Sequence, residues 1–222
     1  MNNLFSQALT KFIVGLAVVM ALLFIPAGTF VYWQAWLFIV ILFVPMFIVG
    51  LILLKRNPDL LRKRLDAKEK ESEQKSVVAM SGVLFLAMFI TAGLNRRFDW
   101  LLLPDWLVIS AAAIFLLGYM MYAEVMRENV WLSRTVEVHE YQQVVDTGLY
   151  GVVRHPMYSA TLILFLTMPL ILASPWSFAI MLLYVPIIVK RIRNEETVLI
   201  SDLNGYAAYM QRVRYRLIPY LW

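Results

Sequence analysis

Any chemistry in this chain has to come from two polar stretches set in an apolar background. The first, residues 142–158, reads QQVVDTGLYGVVRHPMY. Asp146-Thr147-Gly148 is turn chemistry, and Pro156 stands where a helix starts without losing a hydrogen bond. Backbone amides at such a helix start, with Arg154 and His155 beside them, can hold a carboxylate or a phosphate. Equally, Arg154 and His155 can simply mark the end of a membrane span. The second stretch, residues 190–209, reads KRIRNEETVLISDLNGYAAY. Arg191 and Glu195 are four residues apart and share a helix face, as do Glu195 and Leu199. Glu195 and Glu196 point about 100° apart, so the two cannot serve one small site equally. An ordinary surface ion pair, worth at most about 0.5 kcal/mol, is the expectation for Glu196 and Arg193. Arg191 and Glu195, at the lipid boundary, are the functional candidates.

The elements that must position these residues are membrane spans. Of 222 residues 61% are apolar and 16% charged, with a mean hydropathy of +0.70, against roughly 45–50% apolar and roughly 25% charged in a soluble domain. Apolar runs long enough to cross a bilayer as helix, about 17–25 residues, lie at 12–30, 33–54, 77–94 and 106–125. A longer block, 157–189, carries Ser174-Pro175 near its middle. Proline removes a helical hydrogen bond and disfavours helix at the preceding residue, which predicts two antiparallel spans joined by a tight turn. The expected fold is therefore all-α, a polytopic integral membrane protein with about six crossings that include a C-terminal helical hairpin. Residues 1–222 form one membrane domain on this reading, with the N-terminal spans and their connector in 1–127 and the loop, hairpin and last helix in 128–222. The first span has no cleavage-site pattern and reads as a retained helix.

Eighteen of the 20 lysines and arginines fall on one side of these spans, with only Arg96 and Arg97 opposite, which predicts both termini and the two polar stretches on the cytoplasmic face. The net charge of +5 then belongs to anionic lipid rather than to nucleic acid. The segment 57–76, of mixed charge after Pro58, reads as a solvated helix on the lipid headgroups, and the final RVRYRLIPYLW as an interfacial anchor. Cysteine is absent and only His139 and His155 are available, so thiolate zinc sites, iron–sulfur clusters, cysteine nucleophiles and multi-histidine metal centres are excluded. The chemistry uses an organic cofactor or none, and no metal.

GLYGVVRHPMY, then about 30 apolar residues, then RIRNEETVL and YAAYMQRVRYRLIP, taken in order, resemble the isoprenylcysteine carboxyl methyltransferase family, including its prokaryotic and phospholipid-methylating relatives. The likeness runs over 136–219; the earlier spans match only in general character. At Asn204-Gly205-Tyr206 the family's usual bulky aromatic is weaker, which leaves the cofactor unaffected and the acceptor unassigned. The resemblance implies S-adenosylmethionine as cofactor, bound at the cytosolic membrane face without a soluble nucleotide-binding platform; no G-x-G-x-x-G follows a strand pattern here. By position, Gln142, Gln143, Val144 and Val145 would line the cofactor with main-chain and apolar contacts. Tyr150, His155, Pro156, Met157 and Tyr158 would close the pocket, and Glu195 would take the ammonium group. Arg191 would orient the acceptor, a lipophilic or lipidated molecule, and a more distant match puts Thr135 near the cofactor. Membrane lipids are the expected surroundings and no obligate protein partner is expected. The competing readings are an NADPH-dependent membrane reductase of the sterol-reductase type and a non-enzymatic membrane scaffold.

Overall fold

The computed structural model describes residues 2–65, 72–129, 131–132, 138 and 141–222, and these are helical with irregular connections. In chain order the helices are α1 (Asn2–Ala27), α2 (Trp33–Arg56), α3 (Pro58–Leu65), α4 (Ser72–Phe98), α5 (Asp105–Glu128), a 3₁₀ turn (Gly148–Gly151), α6 (Pro156–Ile171), α7 (Pro175–Leu182), α8 (Tyr184–Asp202) and α9 (Tyr206–Arg212). Five stretches are long and apolar enough to cross a bilayer: Leu4–Ala27, Trp33–Arg56, Lys75–Phe98, Asp105–Glu128 and Pro175–Asp202. Together with the shorter apolar α6 they make about six crossings, and the protein is an integral membrane protein. Side chains such as Ile25, Val31, Val83, Trp106 and Leu117 lie on the outside, where only lipid accommodates them without cost.

Two boundaries differ from the sequence expectation. The helix of the first span begins ten residues earlier than the apolar run, because Asn3, Ser6, Gln7 and Thr10 are polar without breaking a helix. The last span is not one helix but two, interrupted at Leu183. Pro186 explains the break: it has no N–H to give the Leu182 carbonyl, and its ring crowds that turn. The expected turn before it is present. Ala173 takes a left-handed φ of 55°, and the buried Ser174 hydroxyl caps α7 by accepting from the Ser177 amide at 3.3 Å. α6 spans about 24 Å at 1.5 Å per residue, shorter than a bilayer's hydrocarbon core of about 30 Å. It lies between α5 and α7 rather than standing in lipid by itself.

A central core of Leu23, Phe38, Met88, Phe115, Ile171, Leu172, Met181, Ile188 and Ile192, each fully buried, ties the spans together. Polar atoms within it find partners: Tyr32 donates to the Leu172 carbonyl (2.7 Å), Ser177 to Met88 (2.9 Å) and Tyr119 to Leu42 (2.9 Å). In lipid such bonds matter because no water can replace them. Helix α5 comes so close to α6 at Gly118 that an added Cβ would sit 2.9 Å from Ile163 Cγ2, the close approach that small residues permit between membrane helices. Helix α3, in the segment expected to be solvated, keeps Asp59 and Arg62 outside but buries Leu60 and Leu61, and its start is capped by Asn57 Oδ1 accepting from the Leu60 amide.

Candidate functional site

The RHP sequence ends the loop and starts α6, with Pro156 in the first turn. Before that start, the chain lies beside the C-terminal segment: the Arg154 amide donates to the Tyr215 carbonyl and the His155 amide to Arg216, both at 2.9 Å. The Ser159 hydroxyl donates to the Leu217 carbonyl at 2.7 Å, and Val213 and Leu217 are buried. The RVRYRLIPYLW tail is thus more than the interfacial anchor expected from its composition, because it packs behind the start of α6 and holds it in place.

Arg154 is buried and bonded both to that segment and to α8. Its Nε donates to Glu196 Oε1 at 2.8 Å, and its Nη1 donates to the carbonyls of Val213 (2.9 Å) and Arg214 (2.8 Å). Glu196 also accepts from Arg216 Nε on Oε2 at 2.7 Å, and His155 Nε2 lies 3.3 Å from Oε1. The expectation of a surface ion pair at Glu196 is therefore wrong. The side chains of Arg154 and Glu196 are each 5% exposed, and Glu196 is the hub joining α6, α8 and the tail. Arg154 lines the cleft as well, with its Nε and Nη1 engaged in that hub. The 100° offset on α8 does separate the two glutamates: Glu196 turns to the hub, Glu195 to the cleft.

On the cleft side, Tyr158 sits between Glu195 and Arg191. Its hydroxyl donates a short hydrogen bond to Glu195 Oε2 and accepts from Arg191 Nε at 2.8 Å. The Arg191 guanidinium also lies 5.9 Å from the Tyr158 ring centroid, and His155 Nδ1 is 3.9 Å from Glu195 Oε1, beyond a hydrogen bond. Glu195 Oε2 is fixed by Tyr158, and Oε1 remains for a cation. Opposite, the loop is clamped along Asp146 to Tyr150. Thr147 Oγ1 donates to Glu128 Oε2 (2.6 Å) and Arg212 pairs with Asp146 (2.8 Å). Tyr209 donates to the Tyr150 carbonyl (2.7 Å), and Asn129 Nδ2 to the Tyr150 hydroxyl (3.0 Å). Gly148, at a left-handed φ of 53°, passes so close to Glu128 that a Cβ would lie 2.8 Å from its carboxyl carbon.

Loop, α6, α8 and α9 enclose about 850 Å³ of empty space, part of it open to the surroundings. Its lining brings together Gln142, Gln143, Val144, Val145, Tyr150, Arg154, His155, Met157, Tyr158, Arg191 and Glu195. Two candidates are not in it. Pro156 is buried in the first turn of α6 and does not line the cleft, because its place at the helix start turns its ring into the protein. Thr135 lies outside the described residues. The wall also contains residues that sequence reasoning did not single out, namely Asn129, Trp131, Leu132, Val198, Leu199, Leu203, Tyr206 and Tyr209. For Leu199 a signal existed, since it shares Glu195's helix face, and Tyr206 and Tyr209 belong to the YAAY motif; for the others there was none short of the fold.

A second cavity, of about 1990 Å³ with its open part, is lined by apolar residues of α1, α2, α3, α5 and α6, among them Phe12, Phe47, Gly50, Met126, Leu164 and Phe165, and by Lys11. Thr161 lines it from one helical turn beyond Met157, which lines the first.

Residues 106–203, a little under half of the chain, match the model of the phospholipid methyltransferase family. Among solved structures, the eukaryotic intramembrane Ras methyltransferase, isoprenylcysteine carboxyl methyltransferase, shares the fold with a TM-score of 0.60 and 18% identity, over 96% of this chain and 77% of that one. A search of the curated proteins finds no match. The family likeness read from GLYGVVRHPMY and RIRNEETVL is borne out, and the reductase alternative gains no support.

Proposed function

We propose that this membrane methyltransferase draws its methyl group from S-adenosylmethionine held in the cleft of α6, α8, α9 and the loop, and delivers it to a lipophilic acceptor entering from the bilayer. The observation that carries the proposal is the Arg191–Tyr158–Glu195 chain of hydrogen bonds, which stands where the polar cleft and the apolar cavity come within one turn of each other on α6. Carboxylate on one side and guanidinium on the other suit a cationic donor and an anionic or polar acceptor end.

The residues present fit that cofactor. Glu195 Oε1 is left for an ammonium group, and Val144, Val145, Leu199 and Leu203 offer an apolar wall for an adenine ring. When bound, S-adenosylmethionine supplies an electrophilic methyl on a sulfonium. The protein's part is to align and to keep water out, because in-line displacement depends on geometry and a dry site rather than on a covalent nucleophile. Tyr158 holds its proton toward Glu195 Oε2 and fixes the Arg191 Nε direction, so both charged groups are set before ligands arrive. Arg191 would orient a carboxylate or phosphate through its planar fork. A carboxylate acceptor needs no base. Lys11 at the rim of the apolar cavity and the 18 basic residues on this side support a cytoplasmic placement of the site and of both termini.

Calorimetric titration of the purified protein with S-adenosylhomocysteine and, separately, with NADPH tests the reading. Saturable binding of the first alone is expected; binding of NADPH in its place overturns it.

A further inference from the structure

Tyr206 opens α9 directly after Gly205, whose left-handed φ of 86° turns the chain back toward the cleft. Its ring packs against Tyr209 with centroids 5.7 Å apart and belongs to the small core of Leu203, Tyr209 and Val213, so the phenol is held in one place. The residue is 4% exposed and lines the cleft. Its hydroxyl is sealed from solvent and makes no hydrogen bond among the described residues, the one such buried side-chain polar atom there. The neighbouring tyrosines of this region behave otherwise: Tyr209 bonds the Tyr150 carbonyl and Tyr158 bonds Glu195 and Arg191.

A buried hydroxyl without a partner costs the fold free energy, and buried polar groups are nearly always satisfied. Because Tyr206 lines the cleft, a ligand seated there can supply the partner that the protein does not. Burial, with the Glu196 and Glu195 carboxylates nearby, holds the hydroxyl proton well above the ordinary tyrosine range, so at neutral pH the group is a donor. We infer that Tyr206 is a ligand-contact residue, its hydroxyl donating a hydrogen bond to an acceptor atom of the bound methyl donor. The inference rests on the proposed use of S-adenosylmethionine. It gives a role to a residue of the YAAY motif that stands outside the ion-pair chain.

Tyr206→Phe removes one oxygen and keeps the ring. A structural hydroxyl and a ligand-contact hydroxyl then give opposite readings. Thermal unfolding of the detergent-solubilised variant without ligand is expected to match or exceed the parent, because a desolvated, unbonded group has been removed. Titration with S-adenosylhomocysteine is expected to show about a tenfold weaker affinity, with a smaller ligand-induced rise in unfolding temperature. Equal affinity of parent and variant overturns this inference alone. A lower unfolding temperature of the ligand-free variant with unchanged affinity also overturns it, by making the hydroxyl structural. If the parent itself fails to bind S-adenosylhomocysteine, the methyl-donor reading falls and the Tyr206 contact with it.

Discussion

Tyr158→Phe is the perturbation that bears most directly on how the cleft is organised. It deletes one oxygen and leaves the ring in place against His155 and Arg191, at centroid distances of 5.8 Å and 5.9 Å. Lost with that oxygen are a bond to the Glu195 carboxylate and one from Arg191 Nε at 2.8 Å. Each is charge-assisted and worth about 1.5–3 kcal/mol. Cofactor affinity depends on only the first of them, through the orientation of Glu195, so a loss near the lower end, about 1.4 kcal/mol or tenfold, is expected. Turnover should fall further, since Arg191 loses its fixed direction as well. Calorimetry with S-adenosylhomocysteine on the parent, Tyr158→Phe, Glu195→Gln and the double variant gives a complete cycle. If Tyr158 acts through Glu195, the double variant binds little more weakly than Glu195→Gln alone, because contacting residues are non-additive. Fully additive losses, or no loss in Tyr158→Phe, would refute the argument that this hydroxyl organises the carboxylate.

Other outcomes follow from the same geometry. Glu196→Gln strips the charge that Arg154 and Arg216 share in a buried hub, so thermal or denaturant unfolding in detergent should show a destabilisation of about 3–5 kcal/mol; near-parental stability would place the hub's worth elsewhere. Arg191→Lys keeps charge but loses the planar fork, so turnover should drop clearly while S-adenosylhomocysteine affinity stays close to the parent's, as equilibrium binding and initial rates would show. Gly50→Phe projects into the apolar cavity, where an added Cβ meets nothing within 4 Å; it should impair lipophilic acceptors in a competition assay without changing cofactor affinity.

Much of this architecture was legible in the sequence because hydropathy reports lipid contact residue by residue: the four N-terminal spans and the Ser174 turn were placed from it. Arg191 and Glu195 were legible through helical spacing, and Tyr158 through its motif. Glu196 was not, since what buries it are Arg154, 42 residues away, and Arg216, 20 residues away; a charge count along α8 cannot see partners on another element. Tyr206 stands in the YAAY motif, but nothing in the sequence singles out its hydroxyl. Its importance lies in a missing bond, which exists only once Leu203, Tyr209 and the loop have closed around it. The kink at Leu183 was readable in Pro186 but was masked by the apolar run around it, which hydropathy treats as continuous.

The central claim is that the cleft transfers a methyl group to a lipophilic acceptor, and methyl-labelled S-adenosylmethionine tests it most directly. Purified protein in lipid nanodiscs would be incubated with the labelled donor and, in parallel, an isoprenylcysteine carboxylate or a phospholipid, and the organic extract counted. Label entering one of these lipophilic products with the parent, and falling by at least about tenfold with Glu195→Gln, is the predicted result. Label found only in water-soluble acceptors, or equal incorporation by the Glu195→Gln variant, would contradict it.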